Sequence, residues 1–169
     1  MKKTLMLLIL LTLLLMGCSN KIIDNTFIHQ DLAFGQRSYH NYTTPLNINI
    51  GFSNVYYKIG PMMTVNSKNM VLNSTGTYIL SEGYYLITSS LSFSGGNSGL
   101  YEFEVFVNDE EKEECSFFRT TTSNALGAGG ITCILYLTNN DMLDMRVKDV
   151  TPPAQDIKIY HATINILKV

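Results

Sequence analysis

The sequence predicts an all-β fold, and three observations carry that prediction. Runs of alternating apolar and polar residues fill the second half of the chain. No apolar stripe of helical period interrupts them. Clusters of Gly, Asn, Asp, Ser and Pro separate the runs at the short intervals of strand connections. Strands at this spacing, rich in β-branched and aromatic residues, build a sandwich or a barrel.

The first element is a leader. Lys2 and Lys3 open it with positive charge, and residues 5–16 are apolar apart from Thr12. The run falls short of the about 20 apolar residues that span a bilayer, and it has the length of a signal-peptide core. It ends in Leu14-Leu15-Met16-Gly17-Cys18-Ser19-Asn20. This segment resembles the bacterial lipobox, with Leu15 at the third position before Cys18 and small Gly17 directly before it; Met16 is a departure at the middle position. The resemblance implies a signal peptide over 1–17, acylation of the Cys18 sulfur and cleavage before it. It also implies an exported protein, lipid-anchored to a bacterial membrane or cell surface. Loss of Lys2 and Lys3 with the leader takes the formal charge from −2 to −4. Residues 18–31 are mostly polar and read as a lipidated tether, leaving 32–169 as the domain.

Within that domain, residues 32–82 hold the less regular strand candidates, at 32–37, 46–50, 55–59, 62–65, 70–72 and 77–80. From residue 83 onward the alternation is clear. Tyr85, Ile87, Leu91 and Phe93 share one face against Thr88, Ser90 and Ser92. Tyr101, Phe103, Val105 and Val107 alternate with Glu102 and Glu104; Ile131, Cys133, Leu135 and Leu137 form the next face; Leu143, Met145 and Val147 alternate with Asp144, Arg146 and Lys148. Phe103, Val105, Val107, Ile131, Leu135, Leu143, Met145 and Val147 are the expected core. Turns are expected at 94–99, 108–114, 126–130, 138–141 and 151–155. In the closing run, alternation puts Tyr160, Ala162, Ile164 and Ile166 on one side and Ile157 and Ile159 on the other. A strand apolar on both faces fits beneath one sheet and against a neighbouring subunit. A monomer whose N-terminal segment covers that second face is the alternative.

Composition excludes several classes. At 169 residues, 46% hydrophobic and 15% charged, the chain is neither disordered nor a coiled coil. A net charge of −2 offers no basic excess for a phosphate backbone, so no nucleic-acid partner is expected. The three Cys lack zinc spacing. His29, His40 and His161 show no pairing at two- or four-residue spacing and read as three unrelated histidines. Residues 94–99 lack a nucleophile elbow. Residues 126–130 lack the Lys of a phosphate cradle and read as a bulge or a close approach. The acidic run Asp109, Glu110, Glu111, Glu113 and Glu114 reads as a solvated turn that protects a strand edge. Cys115 and Cys133 fall on successive strands, and two buried thiols or one bridge both remain open.

The order of these pieces resembles the tumour necrosis factor and complement globular-head superfamily. The likeness runs through Gly76, Tyr78, Gly83 and Tyr84–Tyr85, the hairpin entry from Phe103 to Asp109, and the glycines 127, 129 and 130 leading into 131–137. It continues through 140–147, with Asn140 where glycine is usual, to a final apolar strand. The pieces at 103–109 and 157–166 are also similar to jelly-roll domains of bacteriophage fibres. The resemblance implies an all-β, two-sheet antiparallel β-sandwich of jelly-roll type, assembled as a homotrimer. It implies binding through exposed loops rather than catalysis, and no cofactor beyond calcium at Asp141 and Asp144, at a strand start where related trimers bind it.

The expected function is therefore a non-enzymatic, surface-tethered recognition or structural head that binds a glycan or an envelope protein. Polar loops at 94–99 and 119–127 nominate Asn97, Ser98, Arg119 and Asn124 as ligand contacts. A prophage-encoded lipoprotein that blocks a receptor and excludes other phages shares fold and anchor, and a virion component is a related alternative. A glycan-active enzyme would need paired carboxylates in a cleft, commonly beside aromatic platforms; here the carboxylates cluster on turns and Trp is absent.

Overall fold

The computed structural model describes residues 32–122 and 125–169; the leader, the tether with Cys18, and Asn124 lie outside the described residues. Along the chain come β1 (Phe34–His40), β2 (Leu46–Ile48), β3 (Tyr57–Lys58), β4 (Met63–Lys68), β5 (Met70–Leu72) and β6 (Thr77–Ile79). Then follow β7 (Gly83–Ser94), β8 (Leu100–Val107), β9 (Glu110–Thr120), β10 (Gly127–Leu137), β11 (Met142–Asp149) and β12 (Ile157–Lys168). Sheet A has the order β10-β7-β12-β1-β4, with β2 also on β12; sheet B has β5-β6-β11-β8-β9, with β3 also on β11. The pairings are antiparallel. The two sheets pack face to face, as the alternation requires once one face of each strand is apolar.

The expected core residues Phe103, Val105, Val107, Ile131, Leu135, Leu143, Met145 and Val147 are all buried. At the centre, the Phe103 ring lies 4.6 Å from Phe93 of the opposite sheet and 4.8 Å from Phe117, against which it stacks. Aromatic pairs of this kind add about 0.5–1.5 kcal/mol beyond their buried area. Cys115 of β9 and Cys133 of β10 form a disulfide with Cα atoms 5.5 Å apart. It joins the edge of sheet B to the edge of sheet A.

Three expectations from the sequence need correction. The acidic run is not a turn: Asn108 and Asp109 alone make the connection, both at positive φ (53° and 67°), and Glu110 already begins β9. Positive φ at both central residues is what a type I′ two-residue hairpin turn demands, and Asn and Asp tolerate it. Nor is 126–130 a turn, because Gly127–Leu137 pairs with β7 along its whole length. At Gly130 a Cβ would collide with the Ser89 carbonyl oxygen, so the backbone approach there requires glycine.

The third correction concerns β12. Its partners on β7 slip by one residue between Ile159 and His161, a bulge that leaves Tyr160 unmatched. The slip reverses the alternation, so that Ile157, Ile159, Ala162, Ile164 and Ile166 are all buried in one core. The strand is therefore not apolar on both faces, and that ground for a subunit contact falls.

The outward face of sheet A carries a different apolar feature. Register places Ile134, Leu86, Leu167 and Phe34 side by side across β10, β7, β12 and β1. Tyr136 and Tyr84 pair in the adjoining row with rings 5.2 Å apart. Ile134, Tyr136 and Tyr84 are 58%, 55% and 60% exposed.

A cleft at the loop end of the sandwich

The loop joining β7 to β8 is held from below by Tyr101, whose side chain is fully buried. Its hydroxyl accepts a bond from the Gly96 N–H (3.0 Å) and lies 3.2 Å from the carbonyl oxygens of Gln155 and Asp156. Burial pushes the Tyr101 phenol above its ordinary pKa, with Asp149 and Asp156 adding to the shift against the Gly96 bond. It therefore stays a neutral donor. Gly95 has to be glycine here, since a Cβ would collide with the Tyr101 ring. From the other side Thr121 donates to the Gly96 carbonyl at 2.8 Å.

The facing loop is set by Asp149, buried at the end of β11. Its two carboxylate oxygens accept the Thr151 N–H (2.8 Å) and the Gln155 N–H (2.9 Å). Asp156 then accepts the Ile50 N–H at 2.8 Å, which draws in the segment after β2. Between these walls lies an open cleft of about 250 Å³ lined by Asn47, Asn49, Ser94, Gly95, Gly96, Asp156 and Lys158. Asn47, Lys158 and Ser94 sit in register across β2, β12 and β7. Two exposed amides, a carboxylate and an ammonium group thus converge with loop backbone. This donor and acceptor mix suits a hydroxylated or peptide-like ligand.

The sequence-nominated contacts distribute around this cleft. Asn97 and Ser98 are exposed in the loop that forms its wall, and the Asn97 carbonyl lies 3.4 Å from the Gln155 side-chain amide. Arg119 is exposed on β9 in sheet B and does not line the cleft. Asn124 lies outside the described residues. Asn47, Asn49, Asp156 and Lys158 were not foreseen, because they come together only through the β2–β12 pairing.

Asp141 and Asp144 occupy different surroundings. Asp141 accepts the Asn108 amide and the Thr138 N–H, each at 2.7 Å. Burial raises its pKa, but these bonds and Lys112 outweigh that and hold it below the ordinary carboxylate value. Asp144 faces outward from sheet B yet is buried beneath cations, with Lys58 at 2.7 Å and Arg146 Nε at 2.6 Å. Among the described residues no three His, Cys, Asp or Glu side chains are placed to hold a metal ion.

Asp144 belongs to a ladder that runs across the middle of the outer face of sheet B. Arg146 also bonds Asp109 and lies 4.1 Å over the Phe106 ring. Lys148 pairs with Glu102 at 2.7 Å and lies 4.2 Å over the Tyr56 ring. Tyr56 packs on Phe106 and donates its hydroxyl to Glu104. Glu104 is 1% exposed, and its other oxygen has no partner among the described residues. Burial raises the Glu104 pKa, reinforced by Glu111 and Glu102 and opposed by the Tyr56 bond and Lys148.

No protein-family model matches the sequence, and no curated protein matches it. Solved structures do. Murine APRIL at pH 5.0 superposes with a TM-score of 0.56 at 11% identity, over 82% of this chain and 99% of that one. Eiger TNF from S. frugiperda gives 0.59 at 10% identity, over 81% and 93%. The fold is a tumour necrosis factor-like jelly roll. PRD1 vertex protein P5 gives 0.51 at 17% identity, over 81% and 96%, so the likeness extends to a phage jelly roll. At these identities the likeness is one of fold.

Proposed function

We propose that this jelly roll is a non-enzymatic recognition head, displayed as a homotrimer on a lipidated Cys18, that binds a glycan or an envelope protein at its loop end. The observation that carries the reading is the cleft between residues 47–49, 94–96 and 156–158, where two amides, a carboxylate and an ammonium group meet and whose walls are fixed by buried Tyr101 and Asp149. Loops pinned to a rigid sandwich supply a preorganised ligand site. Among the described residues Asp156 is the one carboxylate lining this cleft, and its Oδ1 accepts the Ile50 N–H. Glycoside hydrolysis would need two carboxylates flanking the bond, so binding fits the site better than turnover.

Assembly rests on the apolar row of sheet A, and its occupant is a second copy of this chain. Leu86 and Ser94 are eight residues apart on β7, about 26 Å at a strand rise of about 3.3 Å per residue. Contact through the apolar end therefore leaves the cleft open. A glycan array and envelope-protein panel probed with the full chain in detergent tests the ligand. Asn49→Ala, Lys158→Ala and Asn97→Ala are expected to weaken the hit about tenfold, the loss of about 1.4 kcal/mol, without shifting the melting temperature. Absence of any binder, or substrate turnover abolished by Asp156→Asn, overturns the reading. Mass spectrometry of the mature N-terminus tests the anchor: acylated Cys18 is expected, and an unacylated terminus elsewhere removes it.

A further inference from the structure

His40 and His161, unrelated by spacing, are brought directly opposite one another on β1 and β12. The Asn41 N–H bonds the Tyr160 carbonyl at 2.9 Å, which marks His40 and His161 as a non-hydrogen-bonded pair. Side chains approach most closely at such pairs. Here the two Nδ1 atoms lie 3.3 Å apart, with the rings 79° from coplanar and their centroids separated by 5.5 Å. Tyr42 packs edge-on against the His40 ring at 4.8 Å and restricts its rotation. The bulge at Tyr160 is what creates the pair. Continued alternation from Ile157 and Ile159 would turn His161 into the core, and the one-residue slip turns it outward.

We propose that His40 and His161 form a bidentate site for a divalent transition-metal ion of the zinc type. Two nitrogens bound to tetrahedral zinc at about 2.0–2.1 Å stand about 3.3–3.4 Å apart, and the Nδ1 separation already has that value. Without metal, one Nδ1 donates its proton to the other; on binding, that proton passes through water to Nε2 of the same ring, and the ion takes the two Nδ1 lone pairs. Imidazole donors select zinc, copper or nickel over calcium. The two remaining positions stay open for water or a carboxylate. The site uses one protomer and depends on neither the cleft nor the assembly.

The test is calorimetric titration of the full chain in detergent with ZnCl₂. The unmutated chain and His29→Ala are expected to bind one equivalent alike. His40→Ala and His161→Ala are each expected to weaken binding about a hundredfold, because the second donor acts at high effective concentration. A measurement on the unmutated chain avoids any folding defect: Cu²⁺ should broaden the amide signals of Asn41, Ser92 and Ala162 before others. Lack of binding, unchanged affinity in both variants, or broadening centred elsewhere overturns the proposal.

Discussion

The outward faces of the two sheets solve the same problem in opposite ways. On sheet B the outward charges pair inside the protomer, Glu102 with Lys148 and Asp144 with Lys58 and Arg146, while the Glu104 carboxyl accepts the Tyr56 hydroxyl. The ring of Tyr56 and the stems of the cations cover what lies beneath. On sheet A, the corresponding rows hold Thr, Ser and Asn and then Ile134, Leu86, Leu167 and Phe34, with Lys68 beside Phe34 on β4. Alternating strands fix which residues face outward, but chemistry across the strands decides whether that face is finished. Sheet B pairs its outward charges within the protomer while still exposing Phe118 and Val71 singly, whereas sheet A lines its apolar residues up in one row.

Breaking the contrast on sheet A should have the largest effect. Leu86→Glu places a charge within the apolar row and is expected to dissociate the assembly completely while the fold persists. Sedimentation of the full chain in density-matched detergent reads this, and an unchanged mass would remove sheet A as the interface. Phe103→Ala attacks the layer that both sheets share and should cost about 3–5 kcal/mol. Denaturant titration checks it, and a loss below about 1 kcal/mol would contradict the packing between Phe93 and Phe117.

Arg146→Met probes the sheet B face alone. It leaves Asp144 with Lys58 as its remaining ion-pair partner among the described residues and should cost about 3 kcal/mol without altering the assembled mass. If association weakened as well, the two faces would not be independent. The smallest effect concerns pH. Because the folded Glu104 carboxyl holds its proton to higher pH than in the unfolded chain, its stabilising share is whole below about pH 4.3 and is lost as pH rises through the folded value. Glu104→Gln should flatten that decline in urea denaturation curves. Asp141 runs the other way, its depressed pKa costing stability as pH falls. A pH–stability curve of the Glu104→Gln variant parallel to that of the unmutated chain would mean that Glu104 titrates normally.

Legibility tracked the range of the interactions. Strands β7 to β11 and the inward residues Phe103, Val105, Leu143 and Val147 were readable because period-two alternation is local. The hairpin at Asn108–Asp109 was partly readable: the turn residues were in view, but their positive φ ended the turn sooner than the acidic run suggested. The 94–99 loop was visible as a loop, while the cleft beside it needed Asn47, Asn49, Asp156 and Lys158 from segments far apart in sequence.

By itself, then, the sequence determined the strand class and the inner faces of the central strands, because each depends on neighbours two residues away. Tertiary structure alone decided what depends on pairing between distant segments. The one-residue bulge in β12 turned an apparently two-sided apolar strand into a one-sided one and swung His161 outward toward His40. The same non-local register closed Cys115 to Cys133, joined the sheet B charges into a ladder and aligned the sheet A apolar row. Alternation specifies a face, but only the partner strand specifies who stands beside whom on it.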